Sequence, residues 1–325
     1  MSFLDRNICV NKGYRFPLQP KYIMQGIYTN MIQNNITEIN AIKFNELKLL
    51  FQNLSNKNIP YAVIKGETLS IMAYGKLGQR NSMDIDILVP LKYISILKSD
   101  LLSLGFDINN KNRQHQVTAI SSTHQAIPFS KKVNGINVEV DINHDIFWGE
   151  YSGNRIDIET FLSDFIEMKI YDCKIKTLPP LKAMIQLILH HYNEFNSLYH
   201  LAMRNCISFN MFKDIYYLWK NNKNVISNSL HEISKTYEII PYVYYIMYYT
   251  NKIFNDNYMG DIVKQLKTPE GVYLLDRYGL TKEERKVWNI EFFTRLNKYD
   301  VFESIKNDLS EKDKEKLKRA QNIFG

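Results

Sequence analysis

Cysteine is scarce in this chain, and its three copies, Cys9, Cys173 and Cys206, lie far apart and are odd in number. They offer no cysteine pair for a metal and fit a reduced compartment, so the cytoplasm is the expected location. Long hydrophobic runs are missing as well. The most apolar stretch, "IIPYVYYIMYY" from Ile239 to Tyr249, is too short for a bilayer, which takes about 20 residues; no membrane association is expected. The opening "MSFLDRNICVNKG" carries Asp5 and Arg6 and no apolar core, so no secretory signal is expected there. Blocks of like charge are absent too: the formal charge of +7 comes from basic residues spread along the chain. That balance permits a polyanionic partner, nucleic acid included, or a phosphate-bearing substrate, without requiring one. No internal repeat or low-complexity linker stands out.

What is present suits a folded protein with well-filled interiors. The chain is 325 residues long and 45% hydrophobic, with 22 Tyr and 17 Phe, enough for one large domain or two ordinary ones. From Thr37 to about Leu54 apolar residues recur at helical spacing. "PYAVIKG" follows as a short buried strand closed by Gly66, then "ETLSIMAYG" as a helix ending at Gly75. "LKYISILKSDLLSLG" is amphipathic, with Ile94, Leu97, Leu101 and Leu104 on one side and Gly105 as its cap. A polar stretch from Asn109 to Thr123 has poor periodicity. Asn134-Gly135 then marks a hairpin between "AIPFSKKV" and "INVEVDIN". Past Pro179-Pro180 the segments "LKAMIQLILHHYNEF", "NMFKDIYYLWKNN" and "VISNSLHEISKTYEII" all favour helix, hairpin signals vanish, and "SEKDKEKLKRAQ" suits a solvated helix. The expected division is a mixed part, residues 1–175, with an N-terminal helical extension, and a helical part, residues 176–325.

The chemistry gathers around "NSMDIDILVP". Ile85, Ile87 and Val89 alternate as one face of a strand, which leaves Asp84 and Asp86 side by side on the other. Paired carboxylates repel unless a positive group lies between them. Asp141, on the polar face of "INVEVDIN", is a candidate third member, with Glu139 its rival on the same face. Oxygen-only ligation favours Mg²⁺ or Mn²⁺. "IKGETLS" adds a strand that ends in Lys65-Gly66 and turns at once into a helix, where backbone N–H groups and a helix N-terminus suit phosphate. Arg80 supplies a planar cation. Together these are the minimum equipment for handling a nucleoside triphosphate. Each piece alone is weak, since an Asp-X-Asp strand also occurs on plain exposed faces. His190 and His191, with Glu194 one turn on, lack the further ligands a zinc site needs, so a helix face or a substrate contact is expected. His124 and His144 are isolated, and the Tyr-rich run around Tyr244 is expected to be core.

The order of these pieces resembles the nucleotidyltransferase superfamily with the DNA polymerase β-like fold. More narrowly it resembles a bacterial family of largely uncharacterised nucleotidyltransferases. "VIKGETLSIMAYGKLGQRNSMDIDILV", containing Tyr74 and Arg80, matches the first motif of that family, and "VEVDINHDIF" matches the second, with Asp141 as its acidic residue. "LILHHYNEF" and "FKDIYYL", with Asp214, match its helical part; the likeness spans roughly residues 45 to 220. The resemblance implies an α+β fold, a mixed sheet with flanking helices followed by a helical C-terminal domain. It also implies transfer of a nucleotide to an acceptor hydroxyl with release of pyrophosphate, with Asp84, Asp86 and Asp141 as catalytic metal ligands. Lys65, Gly66, Thr68, Arg80 and Ser82 would hold the triphosphate. Two positions depart from the pattern: Glu67 stands where the superfamily commonly has a serine after the glycine, and Asn143 where the family tends to have histidine. The acceptor, whether protein, peptide, RNA or small molecule, does not follow from the resemblance. A non-catalytic nucleotide- or partner-binding protein on the same fold is the alternative.

Overall fold

A computed structural model describes residues 35–80, 82–108, 123–146, 156–203, 208–298 and 300–324. Cys9, Cys206 and nearly all of the polar stretch after residue 108 lie outside the described residues. Seven strands form one mixed sheet: β1 (Ala62–Ile64), β2 (Asp84–Leu88), β3 (Asp107–Ile108), β4 (Phe129–Val133), β5 (Ile136–Asn143), β6 (Ile166–Ile170) and β7 (Cys173–Thr177). Their spatial order is β3-β4-β5-β2-β1-β7-β6. The central β2 runs parallel to β5 and antiparallel to β1, which in turn runs parallel to β7. The Asn134-Gly135 turn joins β4 to β5 with both residues at positive φ, 49° and 82°, the backbone that a two-residue hairpin with Asn-Gly adopts.

Alternation along the strands decides which face each side chain takes. Ile85, Ile87, Val138, Val140 and Ile142 are buried on one face. There they pack with Phe44 of α1 (residues 35–46), Leu50 and Leu54 of α2 (Lys48–Asn56), and Leu97 and Leu101 of α4 (Ile94–Ser103). On the other face Ala62, Ile64 and Leu88 join a core that includes Leu69 and Met72 of α3 (Gly66–Tyr74). The same core continues into α6 (Pro180–Asn196), α8 (Phe209–Asn221), α9 (Lys223–Thr236) and α10 (Ile240–Phe254), all past the short α5 (Ile158–Phe161) and separated in part by α7 (Leu198–Ala202). The helical half therefore packs on the face of the sheet that bears the carboxylates. The tyrosine-rich α10 is core as expected, with Tyr242, Tyr244, Tyr245 and Tyr249 buried. The architecture is the expected α+β class.

Two strand pairs went unforeseen. β6 and β7 form an antiparallel hairpin through Tyr171, which takes φ 51° without an Asn or Gly to mark the turn. In the helical half, Arg277–Tyr278 pairs with Lys286–Val287 as a two-stranded ribbon, against the expectation that hairpins end at Pro179-Pro180. Two residues per strand are too few to show alternation, and the signal that remained was Gly279. It sits at φ +91°, where a Cβ would fall 2.3 Å from the Glu284 carbonyl oxygen.

Candidate active site

The parallel register of β2 and β5 sets Asp86 opposite Asp141 and Asp84 opposite Glu139. In-register parallel partners point to the same side, so four carboxylates share the sheet face beneath the helical half. Asp86 is buried, and its Oδ1 accepts hydrogen bonds from Lys65 Nζ and Asn143 Nδ2, each at 3.0 Å. Asn143 thus supports Asp86 directly. Asp141 has no such help: its Oδ1 is buried without a hydrogen-bond partner among the described residues. Burial first, and then the charges of Asp86 and Asp84, push the Asp141 pKa up to about 8. Burial followed by Asp86 raises Asp84, and burial followed by Asp84 raises Glu139. An orphaned carboxylate oxygen beside two further carboxylates is a donor set that fits a hard divalent cation such as Mg²⁺ or Mn²⁺. Asp84, Asp86 and Asp141 are the residues that would hold it, with Glu139 farther out along the strand.

Proton occupancy has a measurable consequence. The folded pKa of Asp141 lies above the ordinary aspartate value of about 4, so this group favours the fold at low pH. That advantage is lost as the pH rises through the window up to about 8. Metal-free protein is expected to lose stability across the window by on the order of 1 kcal/mol per pH unit from this group, and Asp141→Asn is expected to flatten the slope. Urea melts of the two proteins from pH 5 to 8 test this; parallel slopes would remove Asp141 from a protonated cluster.

Lys65 and Gly66 form the strand-to-helix turn that the sequence marked. Gly66 has φ +41°, and a Cβ there would lie 3.0 Å from Ser82 Oγ, so glycine lets the turn approach the start of β2. Lys65 itself takes φ 57°, ψ −143°, a backbone region nearly restricted to glycine and worth about 1–3 kcal/mol of strain. Its position is held from several sides. Thr68 Oγ1 and Leu69 N donate to the Lys65 carbonyl at 2.7 and 2.9 Å, and its ammonium pairs with Asp86. Burial works against that ammonium, but Asp86 outweighs it and the Lys65 pKa is raised. Lys65→Ala is expected to destabilise the protein by about 3 kcal/mol, because it strands a buried carboxylate. The exposed Lys76 nearby is the control, with an expected change within about 0.5 kcal/mol. Equal melting points for the two variants would mean that the Lys65–Asp86 pair contributes nothing.

The other candidate ligands occupy distinct settings. Thr68 is buried, and its hydroxyl is committed to the Lys65 carbonyl. Ser82 Oγ donates to the Asp84 carbonyl at 2.8 Å beside Gly66. Arg80 Nε is fixed by Asp214 Oδ2 at 2.8 Å, and the other oxygen of Asp214 accepts from Tyr74 OH at 2.5 Å. Asp214 lies on α8, so one residue of the helical half holds two residues of the first motif. Asn221 and Asn222 add to that seam by donating to the carbonyls of Ala73 and Met72 at the end of α3.

Two supporting residues and a group of histidines were not foreseen from the sequence. Glu67 is turned inward and 2% exposed. It accepts from Asn40 Nδ2 at 2.7 Å, Tyr171 OH at 2.6 Å and Gly78 N at 2.9 Å. Lys43, also buried, donates to the carbonyls of Ser82 and Met83 at 2.7 and 2.8 Å and anchors the entry to β2. Histidines spread over the sequence also gather here. Burial first, then Lys65 and the neighbouring His190, His200 and His144, lower the His124 pKa well below the usual value. Burial likewise lowers His200 to about 4. Neutral imidazoles suit hydrogen bonding or ligation better than phosphate neutralisation. No spacing in the sequence announces this cluster, since its members come from the residue just after β5, from α6, from α7 and from the segment before β4.

No curated protein matches the chain. Among solved structures it is similar to an antigenic nucleotidyltransferase-like protein from Paracoccidioides brasiliensis, at 15% identity and a TM-score of 0.31, covering 63% of this chain and 92% of that one. Among the described residues no helix is long and apolar enough to cross a membrane. The family model described as "Uncharacterised nucleotidyltransferase" matches residues 30–255, taking in the carboxylate strands, the Lys65-Gly66 turn, His190 and Asp214, and the chain belongs to that family.

Proposed function

We propose that this protein transfers a nucleoside monophosphate from a nucleoside triphosphate to an acceptor hydroxyl, with release of pyrophosphate. The observation that carries the reading is the convergence of Asp84, Asp86 and the unpartnered Asp141 on one sheet face, next to a strained Lys65-Gly66 turn. A divalent ion held by those carboxylates would neutralise phosphate charge as it shifts during an in-line displacement. The chain's own groups do the rest. Lys65, the Gly66 backbone, Ser82 and Arg80 bind and orient the triphosphate, and Asn143 keeps Asp86 aimed at the cluster. The acceptor oxygen attacks the α-phosphorus, the bond to the β-phosphate oxygen breaks, and the hydroxyl proton leaves to a carboxylate or to water. Residues 1–175 act as the transfer domain, and residues 176–325 present the acceptor, whether protein, peptide, RNA or small molecule.

Asp214 is a positioning residue in this scheme. With Nε of Arg80 taken by Asp214, the two terminal nitrogens are left to face a phosphate as a fork. Asp214→Asn is expected to raise the KM for the triphosphate by about tenfold with a smaller change in kcat, since charge-assisted contacts are worth about 1.5–3 kcal/mol. A fall in kcat alone, at unchanged KM, would argue against this role.

The decisive assay incubates full-length protein with each of the four ribonucleotides and Mg²⁺ or Mn²⁺. Pyrophosphate is measured, and the protein itself is weighed by mass spectrometry for a nucleotide adduct. Metal-dependent pyrophosphate release with any one nucleotide supports transfer. Tight metal-dependent binding without release would make this a nucleotide-binding accessory protein, and a melting point indifferent to metal and to every triphosphate would sink both.

A further inference from the structure

In the helical half, α6 brings three donors to one point. His190, His191 and Glu194 each offer a ligand atom, and these atoms lie within 4.8 Å of one another. Glu194 Oε2 is 3.3 Å from His190 Nε2 and 2.9 Å from His191 Nδ1. Helix periodicity accounts for the convergence, because Glu194 follows the two histidines at i+4 and i+3 and so sits beneath both. A tetrahedral zinc ion with bonds of about 2.0–2.1 Å spaces its donors by about 3.3 Å. The two measured separations are already close to that spacing, so small side-chain shifts suffice to close the set around an ion.

We propose that His190, His191 and Glu194 form a transition-metal site for Zn²⁺ or a similar borderline divalent cation, distinct from the oxygen-only carboxylate cluster. Two imidazole nitrogens and one carboxylate oxygen suit zinc and disfavour Mg²⁺, which prefers an all-oxygen shell and keeps its water. Burial is intermediate where it needs to be. The His190 and Glu194 side chains are 22% and 25% exposed and leave access for an entering ion, while His191, at 7%, backs the site. His200 on α7 is an electrostatic neighbour of both Glu194 and His190. Glu194 joins Asp84 and Asp86 in the field felt by Lys65. The ion would thus stand on the helical wall facing the Lys65 turn. The sequence hides this site because three ligands on a single helix fall short of the spaced ligand sets that mark zinc centres.

Zinc binding here needs neither nucleotide nor turnover, so it stands apart from the transfer reaction. Full-length protein is stripped with chelator, equilibrated with Zn²⁺ in excess Mg²⁺ to occupy the carboxylates, dialysed, and analysed for metal content. Wild type is expected to retain about one zinc per chain, and Co²⁺ in its place to show visible bands of tetrahedral intensity. Glu194→Gln, nearly isosteric, and His190→Ala, at a partly exposed position, should each weaken retention by about tenfold or more. Asp141→Asn should keep it. Melting of each variant without metal verifies that the fold is intact. Zinc lost in Asp141→Asn but kept in both helix variants would assign the ion to the carboxylates and overturn the proposal. Failure of wild type to retain zinc in excess Mg²⁺ would do the same.

Discussion

Asp86→Asn is expected to abolish pyrophosphate release and to destabilise the metal-free protein. The activity loss should exceed the 10–100-fold that removal of supporting contacts around a metal ligand typically brings, because Asp86 is a proposed ligand itself. The effect on stability follows from its partners. Asp86 is the acceptor for both Lys65 and Asn143, at 3.0 Å each, in a setting where its side chain is 5% exposed. Breaking a buried ion pair by removing one partner costs about 3–5 kcal/mol, and relief of repulsion with Asp84 and Asp141 offsets only part of it. Repulsion among the clustered carboxylates alone would leave Asp86→Asn with an intact or slightly more stable fold. That relief belongs to Asp141 instead, whose raised pKa and orphaned oxygen mark it as the strained member. Pyrophosphate release with Mn²⁺ and a chelator-treated melt measure the two halves. Retained turnover in Asp86→Asn would remove the carboxylate strand from the chemistry.

The other large effect is expected at Glu67. Its carboxylate joins three segments, through Asn40 of α1, Tyr171 of the β6–β7 turn and the backbone of Gly78. Glu67→Ala leaves three donors without this acceptor, those of Asn40 and Gly78 buried and that of Tyr171 part-buried. At about 1–3 kcal/mol for each unsatisfied group, partly recovered by relaxation, the loss is expected at about 3–5 kcal/mol. For a chain of 325 residues that lowers Tm by roughly 4–7 °C. Glu67→Gln keeps the shape but turns a donor toward at least one of the three, so it should fall between wild type and Glu67→Ala. Glu67→Ser is expected to be nearly as destabilising as Glu67→Ala, since a serine hydroxyl cannot reach all three. A melting point for Glu67→Ser close to that of wild type would show that the position is free to serve phosphate and that the buried knot is incidental.

The sequence by itself determined the local elements and the face on which each side chain of the site would lie. Period-two alternation in "DIDIL" and "INVEVDIN" put the aspartates opposite the apolar residues, and strand geometry permits no other outcome once those residues are strand. Asn134-Gly135 and Gly66 declared their turns because positive φ is a property of the residue. Tyr171 did not, because a tyrosine takes φ 51° only when the surrounding hairpin imposes it. Register was likewise undetermined: that Asp86 meets Asp141, and that both Asp141 and Glu139 share the carboxylate face at different depths, depends on how two strands over fifty residues apart slide together. Only the tertiary structure assigned the partners. Lys65 pairs with Asp86, Glu67 binds inward, and Asp214 reaches from the helical half to Arg80 and Tyr74. Such pairings depend on long-range packing, in which a charged side chain has several chemically equivalent candidates along the chain and burial selects among them. Composition and spacing could indicate that carboxylates, cations and histidines are present, but the fold alone decided which of them stand together.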